Sequence, residues 1–228
     1  MRTALPQDLD TGSPRPIHLH EAAVRGPRGP VFGPLTATST TPVTVVCGPR
    51  GSGRTSLLLS LAGRMRLSAG DASVAGSIRP AALRKRVGIA GFDDIDGLEP
   101  TASVAGALRE RLAWVAPWYR RVPRLAPDVV RELLADAFGA LEQPSADTRV
   151  RDLGPVDALL LRIALALLES PEALVLDDFD QLRSAAERDL VALRLSEIAA
   201  TGIPIVIATT DPEDAARFTA PRPTVIAL

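Results

Sequence analysis

The chain has 228 residues, of which 46% are hydrophobic and 23% charged, and its 26 basic and 27 acidic side chains leave a formal net charge of -1. That length fits one large domain, or one core with a modest insertion, and buries roughly 70% of the unfolded surface. The single cysteine, Cys47, excludes a disulfide scaffold and a thiolate zinc cluster, and the balanced charge argues against nucleic acid as the main partner. The most apolar run, Ala158 to Leu168, is broken by Arg162 and is far shorter than the roughly 20 residues that span a bilayer. The amino terminus lacks the apolar core of a secretory signal, so the expected location is cytoplasmic, at most peripheral to a membrane. Lys85 is the only lysine among the basic residues, a bias of GC-rich genomes, so an Arg at a lysine position can be compositional drift.

Residues 1–16 carry little apolar material and are expected to be a mobile tail before a domain over 17–228. Ile17 to Val24 can form a strand, which the Gly and Pro cluster at 26–34 is expected to break. VTVVCG, Val43 to Gly48, is short, β-branched and continuously apolar, the pattern of a strand buried on both faces of a parallel sheet. A glycine-rich turn follows, then TSLLLSLAGRM with leucines at helical spacing. Residues 72–91 read as two short strands around Ala81 to Arg86. From Thr101 to Leu141 the periodicity is helical: Thr101 is expected to cap one helix and Pro127 to open another. Strand patterns return at Ala173 to Asp177, Ile203 to Thr209 and Thr224 to Ala227, so a helical insertion interrupts an α/β core.

GPRGSGRT, Gly48 to Thr55, matches the phosphate-loop pattern G-x-x-x-x-G-K-[ST] except that Arg54 replaces the lysine. Glycines let backbone N–H groups curl around an anion, and a helix starting near Gly53 aims its positive dipole end at the same place. Gly48, Pro49, Arg50, Gly51, Ser52, Gly53, Arg54, Thr55 and Ser56 are therefore the candidate phosphate ligands, with the Thr55 hydroxyl on Mg²⁺. The competing reading is a glycine-rich surface turn without a ligand; the strand before it and the helix after it weigh against that. Guanidinium is longer, planar and bidentate where lysine is a compact point charge. Arg54 is thus expected to neutralise phosphate charge while placing it poorly for phosphoryl transfer.

EALVLDDFD, Glu172 to Asp180, is an apolar strand ending in carboxylates, at the sheet edge where open α/β folds bind ligands. Asp177 is the expected Mg²⁺ partner and Asp178 the candidate for orienting an attacking water. Asp180 is expected only to end the strand and cap the next helix.

At this point the chain resembles the ABC-type nucleotide-binding domains, the ATPase subunits of ATP-binding cassette transporters. The likeness covers about residues 17–228 and rests on GPRGSGRTSLL at 48–58, LGPVDALLLRIALALLESPEALVLDD at 153–178 and IPIVIATTDPEDA at 203–215. It implies a P-loop NTPase fold of the α/β class: a mostly parallel sheet core, an antiparallel N-terminal β part and a helical subdomain inserted at about 97–170. It also implies ATP as the nucleotide, an integral membrane subunit as partner, a homo- or heterodimer of nucleotide-binding domains, and a place at the inner face of the cell membrane. Asp178 and Arg54 would carry what catalysis there is.

The chain departs from that family at several points. The LSGGQ signature stands here as Leu153, Gly154, Pro155, Val156 and Asp157, and the catalytic Glu as Asp178. The glutamine after VGIAGF is Phe92, the switch histidine is Thr210, the aspartate of the loop after the catalytic strand is Ser184, and no aromatic stands near Val24 and Arg25 to stack on adenine. Each lost group is worth on the order of 100-fold in rate where it stabilises or orients a transition state, so binding is expected to survive and hydrolysis to be slow or absent. The alternative is a non-catalytic scaffold of the same fold that docks on a membrane protein. A small phosphate-loop kinase fits less well, because of the long helical insertion.

Four weaker features carry two readings each. His18 and His20 share a strand face and are a possible metal pair, though two ligands make a poor site. Asp93, Asp94 and Asp96 read as a solvated acidic loop. Trp114, Trp118 and Tyr119 are either partner anchors or packing of a helical subdomain. Cys47 reads as a core residue rather than a reactive thiol.

Overall fold

The computed structural model describes residues 16–219 and 221–228, so the tail expected over 1–16 lies, apart from Pro16, outside the described residues. The chain is built on two sheets. The first is antiparallel, in the order β2-β1-β4, and is built from β1 (Ile17–Gly26), β2 (Gly29–Ser39) and β4 (Ala69–Val74). The second is parallel, in the order β5-β6-β7-β3-β8, from β3 (Val43–Cys47), β5 (Val87–Ala90), β6 (Ala173–Leu176), β7 (Ile205–Thr209) and β8 (Thr224–Ala227).

The Gly and Pro cluster at 26–34 does not end the β structure as expected. It makes a hairpin turn, and β2 runs on through Gly33 and Pro34. β2 lies at the edge of its sheet, where a proline removes no ladder hydrogen bond that a further strand would need.

The continuous apolar runs of the parallel sheet are explained by burial on both faces. Along β6, Leu174 and Leu176 enter one core cluster and Ala173 and Val175 the other; along β7, Ile205 and Ile207 alternate with Val206 and Ala208 in the same way. The first cluster is closed by α4 (Val104–Val115), α5 (Pro127–Phe138), α6 (Pro155–Leu167) and α7 (Ala185–Ala200). The second is closed by α1 (Arg54–Leu61) and the antiparallel sheet. The short helices α2 (Pro80–Arg86) and α3 (Asp93–Asp96) flank β5.

Two caps differ from expectation. Ser103, not Thr101, caps α4, its hydroxyl accepting from Gly106 N–H at 3.1 Å, while the Thr101 hydroxyl donates to Glu99 at 2.8 Å. Asp180 caps no long helix; α7 begins with a reciprocal capping box between Ser184 and Glu187. Pro127 opens α5 as expected.

The acidic loop is also corrected. Asp96 is 7% exposed and grips the Arg162 guanidinium with both oxygens, at 3.0 Å to Nε and 2.5 Å to Nη2, and accepts from Gly91 N–H at 2.9 Å. Asp93 takes Nη1 of the same arginine at 2.8 Å. Arg162 lies inside an otherwise apolar, buried stretch of α6, and an unpaired cation there would carry its full desolvation cost. Hydrogen bonds and charge from Asp96 and Asp93 outweigh that burial and hold Arg162 above its ordinary pKa.

Candidate functional site

Three strand ends of the parallel sheet meet at one edge: β3 runs into the turn 48–53, β6 into Asp177 and Asp178, and β7 into Thr209 and Thr210. β7 lies between β3 and β6, so contact between the glycine turn and the acidic strand end must pass across the end of β7.

The turn is open toward solvent and shaped for an anion. Gly53 caps α1 in the left-handed region with φ 93°, and a Cβ there would lie 2.6 Å from Val31 carbonyl oxygen, so only glycine fits. No side chain caps α1, which leaves its first-turn amides at Arg54, Thr55 and Ser56 without an intrahelical partner. Gly48 is buried at the end of β3, and its N–H donates to Thr209 carbonyl oxygen at 3.3 Å. The Ser52 hydroxyl oxygen is buried in the turn with no partner among the described residues, and Ser52 N–H closes the turn onto Pro49 at 3.1 Å. The Ser56 carbonyl accepts from the Ser60 hydroxyl at 2.8 Å.

Arg50, Gly51, Arg54, Thr55, Asp177 and Asp178 line one cavity of about 410 Å³, together with Gly91, Phe92, Asp93 and Asp94. The expected phosphate turn and the expected metal carboxylate thus face the same space. Gly91 permits this closeness: its φ is 83°, and a Cβ would stand 2.2 Å from Asp177 carbonyl oxygen.

The electrostatics divide the three aspartates. Asp177 is buried; its backbone N–H donates to Ala90 carbonyl oxygen at 3.0 Å, while its carboxylate has no hydrogen bond or ion pair among the described residues. Asp178 sits in the left-handed region at φ 49°, a conformation that short Asp and Asn side chains tolerate. Burial, then the charges of Asp180, Asp177 and Asp93, push its carboxyl above the ordinary value, and Arg54 offsets only part of this. Asp180 moves the other way. Burial alone would raise it, but hydrogen bonds from Thr210 hydroxyl (2.8 Å), Thr210 N–H (3.0 Å) and Arg54 Nη1 (3.2 Å) outweigh that and hold it below the ordinary carboxylate value. Thr209 hydroxyl lies 3.1 Å from Asp180 and 2.5 Å from Asp214; with one proton to give, it donates to the nearer Asp214.

Asp180 is the residue that sequence reading undervalued. It ties the turn after β3, through Arg54, to the end of β7, through Thr210. The available signal was Arg54: a long cation in a phosphate loop of a nearly neutral chain calls for a nearby carboxylate. Phe92 is largely buried, with only its edge on the cavity wall, and Ser184 serves as a helix cap. Leu153 to Asp157 lie at the start of α6, where Pro155 stands at N1 and removes one backbone donor. Val24 is buried and Arg25 exposed. Cys47 is half-buried, and burial pushes its thiol up, which suits a packing role. His18 and His20 are exposed, His18 lies 3.1 Å from the Thr38 hydroxyl, and no cluster of three metal-ligating side chains occurs among the described residues.

Comparison with known proteins then decides the kinship. The chain is 32% identical over 174 residues to a Nod factor export ATP-binding protein I from Burkholderia lata, covering 75% of this chain and 54% of the relative. A protein of the same description from Rhizobium johnstonii is 32% identical over 175 residues, covering 75% and 53%. The chain is a relative of the ABC-type ATP-binding proteins. Solved ABC ATPase domains share its fold: CbiO1 from Clostridium perfringens, part of the ABC transporter complex CbiONQ, superposes with a TM-score of 0.69 at 21% identity, covering 86% of this chain and 78% of that one. MJ1267, an ATP-binding cassette of an ABC transporter in its ADP conformation, gives 0.68 at 14% identity, covering 90% and 84%. No family model matches the chain. The chain spans about half the length of the curated ABC relatives it matches. No helix among the described residues is long and apolar enough to cross a membrane.

Proposed function

We propose that this chain binds ATP with Mg²⁺ as the ATP-binding subunit of a transporter-type complex, and hydrolyses it slowly or not at all. The observation that carries the reading is the single cavity onto which both the glycine turn 48–56 and the carboxylates of Asp177 and Asp178 open. The free amides at the start of α1 and the unpartnered Ser52 hydroxyl suit phosphate oxygens. The all-oxygen donor set of Thr55 and Asp177 suits a hard cation, and no other side chain holds the Asp177 carboxylate among the described residues. Bound there, Mg²⁺ supplies charge neutralisation at the phosphates.

Slow turnover follows from what the remaining side chains do. Arg54 is drawn to Asp180 rather than free to follow a moving phosphoryl group. Thr210 spends its hydroxyl on Asp180. Gly154 lacks the hydroxyl that Ser would offer a partner subunit's nucleotide, and Pro155 lacks the backbone N–H that Gly would offer. Asp178 remains to orient water, and its raised pKa suits a proton acceptor.

The relatives' names and the family likeness support an integral membrane subunit and a second nucleotide-binding domain as partners at the inner face of the membrane. Calorimetric titration of ATP with and without Mg²⁺ tests the reading: saturable, Mg²⁺-dependent binding supports it. The second reading, a non-catalytic scaffold, is favoured by the Arg54–Asp180 pair, which neutralises the turn's cation without a ligand; it requires no saturable binding in the same titration.

A further inference from the structure

The chain's eight aromatic rings are sorted by chemistry. All five phenylalanines, at 32, 92, 138, 179 and 218, are buried in the two core clusters. Both tryptophans and the single tyrosine stand in the stretch 114–119, exposed to 76% (Trp114), 96% (Trp118) and 72% (Tyr119), with Val115 exposed beside them. The rings left outside are those with a polar N–H or O–H tip, the type that settles at a membrane–water boundary.

The backbone displays these rings deliberately. α4 ends at Val115, and Arg120 N–H closes a turn onto Pro117 carbonyl oxygen at 2.8 Å, which puts Trp118 and Tyr119 at its tip, edge to face at 5.9 Å. Arg109 pins the following segment to α4 by donating to Val122 carbonyl oxygen at 3.2 Å. Trp118, Arg109, Arg120 and Arg121 line one groove with a single carboxylate, Glu110, so three cations face one anion there. Arg120, Arg121 and Arg124 are exposed and lack an acidic partner among the described residues, and no acidic residue occurs between Glu110 and Asp128. In a chain of net charge -1, this is a local cationic surface studded with interfacial rings.

The geometry points to the 114–124 segment as a contact for anionic lipid headgroups, with the aromatic rings at headgroup depth and Arg120, Arg121 and Arg124 facing lipid phosphates. The charge complement fixes the sign of the occupant, and the exposed amphipathic rings fix its layered character. This contact is separate from the nucleotide cavity and does not depend on nucleotide binding.

The whole chain is mixed with vesicles of phosphatidylcholine alone or of equal parts phosphatidylcholine and phosphatidylglycerol, and followed by co-sedimentation and tryptophan emission. Both tryptophans lie in the patch, so emission reports on it directly. Expected are a blue shift and sedimentation with the anionic vesicles only, weakened by salt. Each arginine lost lowers partition on the order of fivefold, so the triple change Arg120→Gln, Arg121→Gln, Arg124→Gln lowers it on the order of 100-fold, while the triple Arg→Lys change retains it. A thermal melt of each variant shows that it is folded. The proposal is overturned by unshifted emission with anionic vesicles, by equal binding to neutral ones, or by a shift that needs membranes carrying integral proteins and is absent with lipid alone, which would make the patch a protein interface.

Discussion

Arg54 Nη1 donates to Asp180 Oδ2 at 3.2 Å, with both side chains nearly buried, so the residue at the lysine position of the phosphate loop is bound to the segment after β6. The same carboxylate receives Thr210 from the end of β7. One side chain therefore fastens three strand ends, and removing it leaves a mostly buried cation and a half-buried N–H without their partner. Asp180→Ala is expected to cost roughly 3 kcal/mol in denaturant unfolding, the range for breaking a buried pair from one side.

The depressed pKa of Asp180 gives this contribution a pH dependence. A carboxyl lowered below its ordinary 3.8 in the folded state adds stability that is fully present above 3.8 and fades as pH falls through the folded value. Unfolding curves of wild type and Asp180→Asn should therefore converge only at strongly acidic pH. A difference that stays constant through that window would show that the charge of Asp180 contributes nothing.

Asp178 runs in the opposite sense. Its carboxyl is raised above 3.8, so a cost to folding builds as pH rises through 3.8 and is complete above the folded value. Asp178→Asn keeps a residue that accepts φ 49° and removes the repulsion. A small stabilisation at neutral pH, under about 1 kcal/mol after solvent screening, is expected to vanish on titration down to pH 3.8. The same substitution should abolish whatever ATP hydrolysis the wild type shows.

Arg162 links α6 to the turn after β5 through Asp96, at a place where helix and loop must move together if either moves. Arg162→Met leaves Asp96 buried with one backbone donor and is expected to cost about 3–5 kcal/mol. The double change with Asp96→Leu should recover much of that loss. Urea unfolding of the single and double variants measures the coupling.

Arg54→Lys tests the proposed slow turnover. The signature residues Leu153 to Asp157 and Thr210 are unchanged by it, so turnover should remain low in a phosphate-release assay. A rise to vigorous turnover from this one substitution would mean that Arg54 alone was limiting.

The parts of this protein that follow local rules were legible before the fold was seen. The apolar runs at 43–47, 173–176 and 205–209 appear as parallel strands because both of their faces are buried, and the turn at 48–53 sits between strand and helix as its glycines require. What escaped was set by position in three dimensions. β2 survives its glycines and prolines because it is an edge strand, which no local pattern announces. In one dimension Asp96 looks like a solvated acid and Asp180 like a strand end and helix cap; the arginines they serve lie 66 and 126 positions away along the chain. The exposure of Trp114, Trp118 and Tyr119 could equally have been packing until the turn at 117–120 placed them outside.

The central claim is that the turn 48–56 and Asp177 enclose one Mg²⁺–nucleotide site. Thermal unfolding with ATP at about 100 times its dissociation constant, with and without Mg²⁺, tests it most directly. Binding at that level adds about 2.7 kcal/mol, which raises the midpoint by roughly 5–10 °C in a chain of this size. The account predicts that rise only when both ATP and Mg²⁺ are present, and its loss in Thr55→Ala and Asp177→Asn. A midpoint unmoved by ATP and Mg²⁺ together, or raised equally in the Asp177→Asn variant, would contradict it.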